Sequence, residues 1–116
     1  MGNDLKSITE KIIQFRNARQ WDQYHDPKNL SLALGIEAAE LQEIFLWKTA
    51  EESRNLSEKD VSRVEEEIAD VFIYLIYLCH EFNIDLFDAT LKKIEKNSVK
   101  YPIEKSKGSN KKYNEL

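Results

Sequence analysis

A chain of 116 residues that is 41% hydrophobic and 33% charged, with three glycines and two prolines, has room for one compact domain and the balance of a regular helical protein. Disordered and collagen-like classes are excluded. Its formal net charge of −4 argues against a general duplex-binding role, which needs a broad basic surface for phosphate contacts.

The elements follow from capping residues and apolar spacing. A first helix is predicted from about Asp4 to Arg19, with capping-box spacing at Ser7 and Glu10 and an apolar side marked by Ile8, Ile12 and Phe15. A polar aromatic segment, Gln20 to His25, follows. Asp26 before Pro27 is a strong start for a second helix, since aspartate caps free amides and the fixed φ of proline suits the first helical position. That helix is predicted to run to about Lys48. Its apolar members Leu30, Ala33, Leu34, Leu41, Ile44 and Phe45 span an arc of roughly 120°. Glu37 falls inside the arc and Glu40 just beyond its edge.

A polar connection, Thr49 to Asn55, leads to a third helix started by Ser57 and Asp60 and reaching about Phe82. Val61, Val64, Ile68, Val71, Phe72, Leu75, Cys79 and Phe82 form its predicted buried face, and Glu67, Asp70 and Tyr74 a stripe along one flank. Asn83 can end it. Asp85 can cap a fourth helix that stops near Pro102, leaving a polar tail from Ile103 to Leu116. The expected fold is all-α, four main helices in a single domain over residues 1–116.

No run approaches the roughly 18 uninterrupted apolar residues of a membrane span, and Met1 to Glu10 lacks the basic-then-apolar layout of a signal peptide. The cytoplasm is the default location, with no membrane and no nucleic acid polymer as partner. Cys79, the single cysteine, has no intrachain disulfide partner and reads as core. From Lys92 to Lys112 the chain carries eight lysines against Glu95 and Glu104, a segment able to hold a small polyanion.

Chemistry concentrates in two pairs, Glu37-Ala-Ala-Glu40 and Glu67-Ile-Ala-Asp70. Each pair projects from one helical face with its members about 5 to 6 Å apart. A carboxylate on a core-facing stripe must be paired, hydrogen-bonded or bound to metal to offset lost hydration. Four of them meeting between packed helices would repel unless a cation sat among them, and an all-oxygen set favours magnesium, manganese or calcium over zinc. Glu43, Glu65 and Glu66 point elsewhere and read as solvated. Neither His25 nor His80 belongs to the Glu-x-x-His repeat of a di-iron bundle, which disfavours a redox carboxylate centre. The remaining alternative is a non-enzymatic helical interaction module whose acidic stripes bind a basic partner.

The ordered set Asp22 to Pro27 with Lys28-Asn29-Leu30, Glu37-x-x-Glu40, Trp47-Lys48, Glu67-x-x-Asp70-Val71-x-x-Tyr74, Lys93-Ile94-x-x-Asn97, Lys100-Tyr101-Pro102 and Lys105-x-x-Gly108-Ser109-x-x-Lys112-Tyr113 resembles the MazG-like nucleotide pyrophosphohydrolases. The dCTP pyrophosphatase branch is nearest. The resemblance covers about Ile8 to Tyr113. It implies magnesium, with manganese as a substitute, held by Glu37, Glu40, Glu67 and Asp70, and cleavage of a nucleoside triphosphate, dCTP-like or modified, to monophosphate and pyrophosphate for nucleotide-pool control. It also implies a base pocket from Trp21, Asp22, Gln23, Tyr24, His25, Trp47 and Tyr74, triphosphate contacts from Asn97 and Lys100, and a homodimer or homotetramer. Animal members of that branch place a pocket histidine nine residues before the tryptophan matching Trp21; here that position is Ile12.

Overall fold

The computed structural model describes residues 4–116; Met1 to Asn3, at the head of the stretch read above for a signal peptide, lie outside it. The fold is all-α, with four long helices, two short ones and no strand among the described residues. The chain divides into two compact units, Met1–Asn83 and Ile84–Leu116.

In the first unit, α1 spans Leu5–Ala18, α2 Pro27–Phe45, α3 Ala50–Arg54 and α4 Glu58–Glu81, with a 3-10 turn over Trp21–Tyr24. Local chemistry starts each helix. Asp4, not Ser7, caps α1, its carboxylate accepting from the Ser7 amide at 2.7 Å. The helix therefore begins where expected, at its Asp4 cap, with Ser7 and Glu10 inside its first turns. Asp26 caps α2 by accepting from the Asn29 amide at 2.8 Å, with Pro27 at the first helical position. Ser57 does the same for α4 through the Asp60 amide at 3.2 Å. Such caps contribute about 1 kcal/mol each.

Two boundaries differ from expectation. The second helix stops at Phe45, because Trp47 takes a left-handed φ of 72° and turns the chain out of the helix. The connection beyond it contains α3, five residues held by a full capping box: the Thr49 amide donates to Glu52 Oε1 at 3.0 Å and the Glu52 amide to Thr49 Oγ1 at 3.1 Å.

The most extensive packing is that of α2 on α4, with α1 laid more lightly on α4. Leu30, Ile44 and Ile76 are buried between them, with Ile12 and Tyr77 beside the α1 contact. Burial of such side chains contributes about 1.5–3 kcal/mol each. The buried side of α4 is the expected one only in part: Val64, Val71, Phe72, Leu75 and Cys79 are half-buried. Val61, Ile68 and Phe82 are more than half exposed, whereas Ile76 and Tyr77 are its deepest residues. This helix is apolar on two sides, and α2 docks on the side that carries Glu67, Asp70, Tyr74 and Tyr77. The carboxylates thus lie in the helix–helix seam, as their two pairs imply once the helices pack.

In the second unit, Asp85 caps α5 (Leu86–Lys100) by accepting from the Asp88 amide at 3.0 Å. The tail is not wholly irregular: α6 spans Ile103–Ser106 and a 3-10 turn Tyr113–Glu115. Tyr113 packs edge-on to Tyr101 at 6.2 Å, with the Lys100 ammonium 4.9 Å from its ring centroid. Gly108 makes a turn at φ 76°, a conformation open to residues without a Cβ.

Candidate active site

The seam between α2 and α4 gathers the acidic pairs. One oxygen from each of Glu37, Glu67 and Asp70 lies within 4.8 Å of the other two, and all three residues are half-buried. Glu40, more exposed and one turn along α2, is near enough that its carboxylate perturbs both Glu37 and Glu67. Glu37 Oε2 and Glu67 Oε2 are buried without a hydrogen-bond partner. Burial first, then hydrogen bonding to and repulsion from Glu40, then Asp70 and Glu67, push the Glu37 carboxyl up to about 7. The Glu67 carboxyl is raised by burial, Glu40 and Asp70, against an opposing hydrogen bond with Glu37.

Oxygens buried without donors, on carboxyls that resist ionising together, are the condition a cation relieves. The residues fit a hard divalent ion: an all-oxygen set able to close around magnesium or manganese. Glu43, Glu65 and Glu66 are exposed as expected.

Aromatic residues rise from the same seam. Tyr74 stands one turn beyond Asp70, its hydroxyl pKa raised by burial and by the charges of Glu37 and Asp70. It meets Tyr77 edge-on at 5.6 Å, and the His25 ring lies 4.7 Å from Tyr77 and 6.4 Å from Tyr74. His25 Nδ1 is buried and unpartnered. Tyr77, Arg16 and Glu81 were not among the residues singled out in the sequence. Arg16 is 4% exposed and paired with Glu81 at 3.3 Å. The signal for it was an arginine one turn after Ile12 on the apolar side of α1.

The remaining base-pocket candidates are exposed. Trp21 packs edge-on to Phe15 at 5.8 Å, and Asp22, Gln23 and Tyr24 occupy the 3-10 turn. Asn29 Nδ2 ties that turn to α2 by donating to the Tyr24 carbonyl at 3.2 Å, while Gln23 Nε2 donates locally to the Gln20 carbonyl at 2.9 Å. Trp47 is 92% exposed at its left-handed φ. A left-handed residue just past a helix end is a common helix stop, though a bulky side chain there costs about 1–2 kcal/mol and one facing water recovers nothing by packing. Asn97 and Lys100 lie on α5 of the second unit, both exposed. His80 is a surface residue and Cys79 is half-buried, its thiol pKa raised by burial.

Known proteins resemble this chain in sequence and fold. The chain is 39% identical over 114 residues to dCTP pyrophosphatase 1 of Bos taurus and to that of Homo sapiens, a match covering 97% of this chain and 68% and 67% of theirs. A solved pyrophosphatase from Archaeoglobus fulgidus superposes with a TM-score of 0.80 at 43% identity, over 84% of this chain and 92% of that one. The model of the MazG-like family matches residues 32–116, which contain both acidic pairs. The chain belongs to the MazG-like family.

Proposed function

We propose that this chain hydrolyses (deoxy)nucleoside triphosphates, dCTP-like or modified, to monophosphate and pyrophosphate. A divalent cation, magnesium or in its place manganese, would be held by Glu37, Glu40, Glu67 and Asp70. The observation that carries this reading is the pair of buried, unpartnered oxygens, Glu37 Oε2 from α2 and Glu67 Oε2 from α4, gathered with Asp70 in the α2–α4 seam. The relatives named pyrophosphatases support the class of reaction.

When bound there, such a cation would supply charge neutralisation for the triphosphate and a lowered pKa for a water nucleophile. The protein's share is placement and proton handling. The seam carboxylates would hold the cation in place, and one not committed to it would accept the water's proton. Trp47, Trp21 and Tyr74 offer faces suited to stacking on a base, Asp22, Gln23, Tyr24 and His25 offer groups suited to its edge, and Asn97 and Lys100 of the second unit carry an amide and an ammonium group of the kind that bind phosphate oxygens. The enzyme acts in the cytoplasm on the nucleotide pool as a homodimer or homotetramer. The exposed apolar residues on α4, Val61 and Ile68, and on α2, Leu32 and Ile36, support assembly. No helix among the described residues is long and apolar enough to cross a membrane.

The test is a panel of canonical and modified nucleoside triphosphates, incubated with purified protein and magnesium, followed by product separation. Monophosphate and pyrophosphate are the expected products, and EDTA should stop their formation. Release of orthophosphate would sink the proposed bond cleavage. Glu40→Gln and Asp70→Asn should each lower turnover by about 10²-fold or more while leaving helicity intact. A fully active Asp70→Asn enzyme would remove that residue from the metal set.

A further inference from the structure

Ile12 and Arg16 stand one turn apart on α1, and both turn into the fold, with 8% and 4% of their surface exposed. An isoleucine there is ordinary core. An arginine is not, because a guanidinium buried without partners is strongly destabilising. Arg16 Nη1 donates to Glu81 Oε1 at 3.3 Å, and Nε donates to Asn17 Oδ1 at 3.1 Å. The guanidinium carbon lies 5.7 Å from the Tyr77 ring centroid, and Tyr77, 4% exposed, touches His25. A line of contacts therefore runs from Glu81 near the end of α4 through Arg16 and Tyr77 to His25.

Stability alone does not call for this line, since apolar residues of similar volume replace buried ion pairs at little or no cost. What the ion pair adds is direction. Glu81 holds the guanidinium at one place over Tyr77, and Tyr77 closes one side of the imidazole whose Nδ1 is buried without a partner. Burial first and then the Arg16 charge keep His25 below the ordinary histidine pKa, against Glu81 and Asp22. A neutral imidazole has one donor and one acceptor nitrogen, a pairing that distinguishes base edges.

We propose that Arg16 is a positioning residue that sets base specificity: clamped by Glu81, it locks Tyr77 and thereby the His25 ring, so that a nucleotide's base meets one fixed imidazole orientation. This rests on the reading of His25 as part of the base pocket. Arg16 acts through His25 without touching the substrate.

The test compares Arg16→Met, which keeps volume without charge, with Arg16→Lys and Glu81→Gln in the intact protein. The readouts are kcat/KM across the triphosphate panel and the His25 titration followed by proton NMR. With two histidines in the chain and His80 on the surface, the two signals are separable. Arg16→Met should shrink the preference for the best triphosphate over the next by about tenfold, mainly through KM, and raise the His25 titration midpoint; Arg16→Lys should restore part of both. If Arg16→Met does not fold, Glu81→Gln must shrink the preference in the same direction. Unchanged preference in a folded Arg16→Met enzyme, with or without a shifted His25 midpoint, overturns the proposal while leaving the hydrolase reading intact. A wild-type protein that cleaves no triphosphate overturns both, and that result differs visibly from the first.

Discussion

With its carboxyl pushed up to about 7, Glu37 keeps a proton in the folded, metal-free chain from roughly its ordinary value of 4.5 upward, where the unfolded chain has released it. The folded state then binds more protons than the unfolded one, so the Glu37 contribution to stability is complete below 4.5 and is lost as pH rises through about 7. Glu37→Gln removes that titration. Without metal, the melting temperature of Glu37→Gln should gain on wild type as pH goes from 5 to 8, while magnesium should reverse the gain by stabilising wild type alone. Thermal melts at both pH values with EDTA and with magnesium measure it; a pH-independent difference in EDTA would contradict it. The suspicion of Glu37 was legible in sequence because one charge on an apolar arc is a local pattern. Arg16 and Tyr77 were not, since their meaning depends on which residues of α4 lie opposite α1, and no spacing within one helix encodes that.

Helix ends were the most readable elements, because a cap is decided within four residues. Asp26, Ser57 and Asp85 cap as their positions imply. α3 was missed although Thr49-x-x-Glu52 is itself a capping-box pattern, since five residues carry too little apolar periodicity to register as a helix. The exit of α2 was also misjudged: nothing local forbids helix through Trp47, and its left-handed φ reveals itself only in three dimensions. Strain at a residue facing water implies a specific double effect. Trp47→Asn, a residue tolerant of this conformation, should leave stability equal or up to about 1 kcal/mol higher in urea denaturation. The same change should raise KM by the loss of base stacking, worth about 1–3 kcal/mol. A substitution that destabilises the fold without changing KM would return Trp47 to a packing role.

For the molecule as a whole, the all-α class and four main helices were legible, while the packed side of α4 was legible only in part, Val61, Ile68 and Phe82 being exposed against expectation. Two apolar sides on one helix give periodicity two solutions, and α2 settles the matter by covering the carboxylate side. The other side, with Val61 and Ile68, is left exposed, and exposed apolar stripes of this kind mark association surfaces. Sedimentation velocity should therefore report at least twice the 13.6 kDa chain mass, and Val61→Glu with Ile68→Lys should shift the protein toward that single-chain mass. Wild type sedimenting as one chain would end the oligomer reading. Trp47 also has an optical consequence. With 92% of its surface in water, against 44% for Trp21, its indole is the more solvent-relaxed of the two fluorophores. A base stacking on it would alter its emission before any bond is cut, giving the protein an internal gauge of pocket occupancy that separates binding from turnover.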